Sequence, residues 1–305
     1  MSADTTADVE KLVERAEDDP SSVSIEEVRP YFEAEDEFTR KRAIDICQAI
    51  AYVEPERVVP LVPDLVAFAE DDFLAIKHAA LGAISHIVQD EPDAVLDGID
   101  TVAQSLDGET PLTRFLAAKS FGLLVAERPE RVAEHLDALF AALAREGPEV
   151  PEEIEQSTFG APDEHEPVRE EIGRNISQNE NARQLAAKTI GAIVKDDPDA
   201  IVPYLEEVPT YVDDRDPIVS GAFVEIVSDL AAADYDLPDE TAERVEATLP
   251  DGSTQLRARS LRALGYLSAT DAVETIQDVA EDTDDDELEA FAEDTAEFLQ
   301  STAGE

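Results

Sequence analysis

The sequence contains no tryptophan and only one cysteine and one methionine among its 305 residues. Cys47 has neither a partner for a disulfide nor a neighbouring thiol for a metal site, so we interpret it as a small core residue. There is also no apolar run of about 18 residues and no charged-then-apolar start. We therefore expect no membrane span, no secretory signal and a cytoplasmic location.

Basic residues are scarce, because 23 lysines and arginines face 73 aspartates and glutamates, a formal net charge of -50. The acids are spread over every segment, which indicates adaptation of the whole surface to high salt, as in an extreme halophile. At molar salt the Debye length is about 3 Å, so this acidic surface steers no ligand over a distance. With 43% hydrophobic residues, the chain still has enough apolar mass for a large core.

Catalytic motifs are missing too. The sequence has no glycine-rich phosphate loop, no nucleophile elbow and no His-Glu-x-x-His. The four histidines do not have the spacing of metal ligands; they are His78, His86, His135 and His165. We therefore expect no enzyme activity, no cofactor and no metal.

One acidic run imitates a calcium loop. Asp282, Asp284, Asp286 and Glu293 have the spacing of four ligand positions, but Glu287 stands where the sharp turn needs glycine. A helical pattern also continues through the run. We therefore interpret Asp286 or a neighbour as the cap of a helix whose first turn favours acids.

A repeat of 37 residues organises the chain. Its anchor positions are Arg40, Lys77, Arg114, Arg183, Ser220 and Arg257, where one step of 69 contains an insertion of 32. Residues three, four, seven and ten past each anchor are mostly apolar, the stripe of an amphipathic helix. In four units a proline follows fifteen past the anchor and opens a second stripe; these are Pro55, Pro92, Pro129 and Pro198. Each unit is thus a helical hairpin that must stack on its neighbours.

Two stretches, 182–191 and 256–265, resemble the second helix of HEAT-like (HEAT/armadillo-type) repeats. The resemblance covers roughly residues 24–300 and implies an all-α fold, a right-handed α-solenoid of about seven hairpins. It leaves function open, because such arrays serve as adaptors, scaffolds and occasionally enzymes. The predicted units are 24–53, 56–89, 93–127, 130–195, 199–231, 238–268 and 271–300.

The ends and one insertion depart from the repeat. Residues 1–20 form an acidic segment with one short helix, and Ser24 with Glu27 predicts a capping box at the start of the first unit. The insertion, at about 147–179, begins as a loop, and its later part from Glu166 to Arg174 resembles an extra, shortened second helix. The short N-terminal helix is expected to use Val9, Leu12, Val13 and Ala16, and the last helix Leu288, Phe291, Phe298 and Leu299.

The basic anchors allow two interpretations. The resemblance implies a structural ladder that pairs with acidic turns of neighbouring units, and the alternative is contact with a ligand. The second helices together carry 13 basic and 9 acidic residues, whereas the rest of the chain has a net charge of -54. Because the resemblance implies that second helices line the concave side, this groove is expected to be the one surface that is not strongly acidic.

We therefore predict a non-catalytic scaffold or adaptor whose concave face binds a protein partner, with an extended or helical segment of an acidic protein as one candidate. A nucleic-acid binder that uses the same basic row stays open as the alternative. A HEAT-like lyase or DNA glycosylase is a third possibility, which the lack of tryptophan disfavours. The candidate partner-binding residues are Arg40, Lys41, Lys77, Arg114, Lys119, Arg183, Lys188, Arg257, Arg259 and Arg262.

Overall fold

The computed structural model describes residues 2–147 and 166–302, and over these ranges the chain is helical without a β-strand. It divides into two compact units, Met1–Ala186 and Ala187–Glu305, hereafter unit 1 and unit 2. The loop part of the predicted insertion at 147–179 lies, apart from Gly147, outside the described residues.

The helices before the insertion all belong to unit 1. They are α1 Ser2–Asp18, α2 Ile25–Val28, α3 Glu37–Val53, α4 Val62–Phe68, α5 Leu74–Asp90, α6 Ile99–Gln104, α7 Pro111–Leu124, α8 Pro129–Ala133 and α9 Leu136–Ala144. The helix α10, Glu166–Asp196, contains the division between the units. Unit 2 continues with α11 Pro217–Ala232, α12 Thr241–Glu246, α13 Thr254–Tyr266, α14 Val273–Asp282 and α15 Asp286–Thr302.

Several of the long helices begin where the sequence offers a side-chain cap, although α5 does not. Asp36 accepts a hydrogen bond from the Thr39 amide at the start of α3, and Thr110 accepts one from the Thr113 amide at the start of α7. The predicted capping box is confirmed, because Ser24 and Glu27 each bind the other's backbone amide. These bonds satisfy donors that a helix start leaves unpaired.

In unit 1, α3 packs on α5 and α5 packs on α7, so the second helices stack side by side. Their stripe is fully buried, as in Ile44, Cys47 and Ile50 of α3. The same packing extends to the N-terminal helix, which contacts α3. Its apolar side, predicted from the sequence, is buried at Val9, Leu12, Val13 and Ala16.

In unit 2, α11 packs on α13, and α13 packs on the last helix, α15. Here the predicted stripe of α15 is half wrong: Leu288 and Leu299 are buried, but Phe291 is 38% and Phe298 is 50% exposed. The buried face continues through Ala292 and Thr295, at the spacing of successive helical turns. The two phenylalanines, seven residues apart, lie together on the flank of that face. The predicted fold class, an all-α solenoid, is confirmed.

The first elements of the hairpins are broken rather than continuous. In the second hairpin they comprise the 3-10 turns Pro55–Arg57 and Val59–Leu61 before α4, and in the fifth the 3-10 turns Pro198–Tyr204 and Val208–Tyr211. Pro60 and Pro203 lie inside these elements and lack the N–H that a regular helix needs. The apolar stripe still faces the core, since Val58 is fully buried.

The extra short helix expected after the insertion does not exist as a separate element. Residues 166–196 form one continuous helix of 31 residues, so Glu166 to Arg174 extend the second helix. No proline interrupts this stretch after Pro167, and a Cβ added at Gly173 would meet nothing within 4 Å.

The acidic run before α15 provides the helix cap that the sequence predicts. Asp285, the neighbour of Asp286, accepts hydrogen bonds from the amides of Glu287 and Leu288 at 3.1 Å.

Candidate partner-binding surface

The basic anchors bind backbone carbonyls in the turn before their own helix. Arg40 donates from Nη1 to the Ala34 carbonyl at 2.9 Å and to the Glu35 carbonyl at 3.2 Å. Arg114 repeats this arrangement on the carbonyls of Gly108 and Glu109, at 2.7 and 3.1 Å. The ends of helical segments leave such carbonyls without partners, and a guanidinium can satisfy two of them at once.

Two anchors are also buried. Arg114 is 4% exposed, and its Nη2 donates to Asn179 Oδ1 at 2.6 Å. Arg183 is 7% exposed and donates from Nε to the Leu143 carbonyl at 2.8 Å. Burial lowers the pKa of Arg114, with a further contribution from Arg145, although a guanidinium keeps its proton at any physiological pH. These side chains hold the fold and offer little surface to a partner.

Unit 2 follows the same arrangement. Arg257 donates from Nε to the Leu249 carbonyl at 2.8 Å and from Nη2 to the Pro250 carbonyl. Even Ser220, which breaks the basic row, donates to the Val212 carbonyl at 2.6 Å. The structural interpretation of the anchors is therefore favoured, but with backbone carbonyls in place of the acidic turns that the resemblance implied.

Lys77 is the exception among the anchors. It is half-buried, and its side chain makes no hydrogen bond or ion pair to any residue that the structure describes. A lysine ammonium lacks the planar fork with which arginine reaches two carbonyls.

A groove about 510 Å³ in volume crosses three second helices within unit 2. We call it the unit-2 groove. Its cations are Lys188 and Lys195 on α10 and Arg259 on α13, and its carboxylates are Glu225 and Asp229 on α11. Gly191, Ala192 and Ala222 also line it. Their small side chains leave the groove open.

The charges of the unit-2 groove are only partly paired. Arg259 lies 3.5 Å from Glu225 and donates to the Gly221 carbonyl at 3.3 Å. Lys188 and Lys195 are exposed. Burial, followed by the charge of Glu225, raises the pKa of Asp229, while Arg262 and Lys195 oppose the shift. The groove is thus a strip of three cations and two carboxylates in a chain of net charge -50.

The repeat explains why these side chains meet. Lys188 and Glu225 both lie five residues past their anchors, and Arg259 lies two past its own. Lys188 and Glu225 are thus equivalent positions of stacked helices, which come side by side. Arg259 is not at the equivalent position, but its guanidinium lies 3.5 Å from Glu225. Lys188, Arg259 and the exposed Arg262 were predicted, whereas Lys195 and Asp229 were missed. Lys195 follows Lys188 by seven residues, two helical turns on the same face, a signal that was available in the sequence.

The remaining predicted residues lie apart from the unit-2 groove. Lys41 pairs with Asp45 at 2.7 Å on α3. Lys119 is half-buried on α7 and acts on His86, whose pKa is lowered first by burial and then by this charge. Of the predicted candidates, the unit-2 groove thus contains two, Lys188 and Arg259.

Metal and thiol chemistry find no support in the described part of the chain. No group of three or more histidine, cysteine or acidic side chains there could hold a metal ion. His78 binds Thr110 Oγ1 and Thr113 Oγ1 through Nε2, each at 3.0 Å. Burial raises the pKa of the Cys47 thiol to about 12.

Among the described helices none is long and apolar enough to cross a membrane.

No protein-family model matches the sequence, and no curated protein matches it. Among solved structures, an engineered protein from a structural genomics consortium is 15% identical, with 90% of this chain and 68% of that one covered and a TM-score of 0.57. A computationally designed armadillo repeat protein for modular peptide recognition is 15% identical over 89% of this chain and 98% of its own, with a TM-score of 0.48.

The karyopherin Kap121p is 12% identical, with 93% of this chain but 35% of its own covered and a TM-score of 0.43. The chain thus spans about a third of the length of Kap121p. At 15% identity, the likeness to the engineered protein shows a shared helical fold and leaves function to be argued from the surface.

Proposed function

We propose that this chain is a non-catalytic scaffold of HEAT/armadillo type that binds a protein partner, and that the unit-2 groove holds an acidic segment of that partner. The observation that carries the proposal is the concentration of Lys188, Lys195 and Arg259 in one groove of a chain whose net charge is -50.

Spacing supports an extended acidic segment as the target. Lys188 and Lys195 are two helical turns apart, a separation of about 10 Å along α10. In an extended segment of polyproline II conformation, which turns once every three residues and rises about 3.1 Å per residue, residues three apart lie on the same side and are separated by about 9 Å. Two acidic residues with two others between them therefore match the two ammonium groups.

The expected salt level makes direct contact essential. If the protein works in molar salt, charges more than about 3 Å apart barely interact. Only carboxylates that touch Lys188, Lys195 or Arg259 would then gain binding energy, so the groove selects for geometry rather than for net charge.

Phosphates fit the unit-2 groove less well than carboxylates on a protein segment. Glu225 and Asp229 lie between the cations and would repel a continuous phosphate backbone. No aromatic side chain lines the groove to stack on a base. A protein segment can place an uncharged or basic residue opposite the two carboxylates, which a nucleic acid cannot do.

The test compares two charge reversals in unit 2. Lys188→Glu changes the groove, and Arg215→Glu changes an exposed arginine outside it by the same amount of charge. The probe is a fluorescein-labelled peptide with a glutamate at every third position, titrated by anisotropy in molar KCl. We expect Lys188→Glu to weaken binding about tenfold, the loss of one charge-assisted contact, and Arg215→Glu to leave it unchanged.

A single-stranded DNA oligonucleotide is titrated in parallel. Equal effects of the two reversals on the peptide, or tighter binding of DNA than of peptide, would contradict the proposal.

A further inference from the structure

A second cavity lies at the other end of the chain, within unit 1. This N-terminal pocket, about 290 Å³ in volume, is formed by α1, by α3 and by the start of α5. Phe38, Phe73 and Ala75 supply its accessible apolar surface, and Lys41 and Arg42 lie at its edge; Val9 also lines it but is fully buried. It shares no residue with the unit-2 groove.

Phe38 is the unusual member of this pocket. Its side chain is 67% exposed although it lies on a helix whose opposite side is fully buried. It meets Phe73 edge-to-face, with ring centroids 5.7 Å apart and an angle of 76° between the rings. An exposed aromatic ring held against a second ring is already ordered, so a ligand that covers it loses little conformational entropy in the protein.

The charges at the edge are paired within the chain but accessible. Arg42 lies 3.3 Å from Glu10, and each of these two side chains is nearly half exposed, at 45% and 46%. Lys41 is held by Asp45 at 2.7 Å. The pocket is thus electrically balanced in a chain of net charge -50, and its cations can exchange an internal carboxylate for one from outside.

We propose that the N-terminal pocket binds a large apolar side chain, phenylalanine or leucine, from an acidic protein segment whose carboxylates contact Lys41 and Arg42. This inference rests on the proposed function, because it specifies the chemistry of the same kind of partner. Buried aromatic anchors surrounded by polar contacts dominate protein interfaces. The volume is ample for one ring, since a cavity of about 150 Å³ can hold benzene.

The experiment uses the full-length protein and two labelled peptides in molar KCl. Both peptides carry the glutamates described above, and one has a central phenylalanine where the other has alanine. We expect the parent protein to bind the phenylalanine peptide about tenfold more tightly, the effect of one apolar anchor. The Phe38→Ser variant should bind the two peptides equally.

Tyr52→Ser provides a matched control. Tyr52 lies on the same helix, is 74% exposed and also meets an aromatic neighbour edge-on, His86 at 5.3 Å. This variant should keep the preference of the parent. Equal binding of the two peptides to the parent would overturn the pocket, and that comparison does not depend on the folding of any variant.

The outcomes separate this inference from the proposed function. If Lys188→Glu weakens both peptides while the phenylalanine brings no advantage, the groove stands and the pocket is wrong. If Phe38→Ser and Tyr52→Ser lose the preference alike, the pocket is also wrong. Displacement of the phenylalanine peptide by a thymidine oligonucleotide would assign the aromatic surface to a nucleobase, and failure of both peptides to bind the parent would overturn both proposals.

Discussion

At the scale of single residues, the basic side chains have two roles that the sequence alone does not distinguish. Some bind backbone carbonyls of the fold, and others lie exposed on the candidate surface. The anchors Arg40, Arg114, Arg183 and Arg257 donate to backbone carbonyls. Lys188 and Lys195 remain exposed on the groove. Arginine suits the first task because its planar fork reaches two acceptors, and a flexible ammonium suits contact with a carboxylate from outside.

The anchor position therefore predicts a difference between Arg114 and Lys77. Arg114→Ala should lower the free energy of unfolding by about 3 kcal/mol, because it leaves the Gly108 carbonyl and Asn179 without their charged donor. Lys77→Ala, at the same repeat position but without such bonds, should cost less than about 0.5 kcal/mol. Urea unfolding in molar salt measures both. Equal losses would mean that the carbonyl bonds contribute nothing specific.

Protonation of His78 should destabilise the fold. Burial, and then the charge of Lys77, lower the pKa of His78 below its usual value of about 6.5. Between the lowered folded pKa and the unfolded one, the unfolded chain binds more protons. Stability should therefore fall as the pH drops below about 6.5, and the contribution of His78 should level off beneath its folded pKa.

The variant His78→Gln tests this assignment. It keeps a polar atom near Thr110 and Thr113 but cannot titrate, so its stability should change less than that of the parent between pH 7 and pH 5. His86, whose pKa is also lowered, should account for part of the remaining slope. An unaltered slope in a His78→Gln, His86→Gln double variant would refute the role of both histidines.

At the scale of elements, the sequence predicted the second helices well and the first elements poorly. The stripe through Ile44, Cys47 and Ile50 makes one long helix, because its period is unbroken and a proline ends it. The first elements share that apolar period, but Pro60 and Pro203 remove hydrogen bonds from inside them. The apolar period predicts which side of a segment faces the core, but it does not predict whether the backbone forms one continuous helix or several short turns.

The residues of the candidate surface differ in whether the sequence alone could predict them. Lys188 and Arg259 could be predicted because basic residues are concentrated on the second helices, which the repeat stacks side by side. The carbonyl bonds of Arg114 could not, since they depend on the backbone conformation of the turn just before its helix. The exposure of Phe38 could not either, since it depends on packing against Phe73, far away in sequence. The exposure of Phe291 could not be predicted either, because this residue fits the apolar pattern of α15 but lies beside the buried face.

Two glycines give a matched test of packing between elements. A Cβ at Gly98 would lie 2.5 Å from Val66 Cγ2 and 3.2 Å from its Cβ, in the neighbouring first element. Val66 is short and branched and cannot swing away, so Gly98→Ala should cost about 1–3 kcal/mol. A Cβ at Gly82 would instead meet the amide end of the Gln48 side chain at 2.5 Å.

Because that amide can move aside, Gly82→Ala should be neutral or should stabilise α5 by up to about 1 kcal/mol through helix propensity. Thermal unfolding of the two variants compares them directly. A Gly98→Ala variant as stable as the parent would show that the first elements are packed more loosely than the structure indicates.

At the scale of the whole molecule, the excess of acids makes stability a question of salt. The 73 acidic residues outnumber the basic ones by 50. Their mutual repulsion has a range of about 3 Å in molar salt and about 30 Å at 0.01 M. Ion pairs offset little of this repulsion, because solvent screens surface pairs such as Arg128 with Asp93.

We therefore predict that the chain loses its helicity on dialysis from molar to millimolar salt. Cys47 gives a second, local signal of this loss, because in the native state its thiol is fully buried in α3 and its pKa is raised to about 12. Such a thiol cannot form the thiolate that reacts with a disulfide reagent at pH 8, whereas an unfolded cysteine, with a pKa near 8.5, reacts readily.

The two signals should change together as salt is removed, and urea in molar salt should expose Cys47 as the control for complete unfolding. Reaction of Cys47 at a salt concentration that leaves helicity intact would mean that unit 1 opens locally before the rest of the chain, as repeat arrays with nearest-neighbour packing can do. If far-ultraviolet circular dichroism stays undiminished and Cys47 stays unreactive at millimolar salt, the acidic surface is not an adaptation on which folding depends.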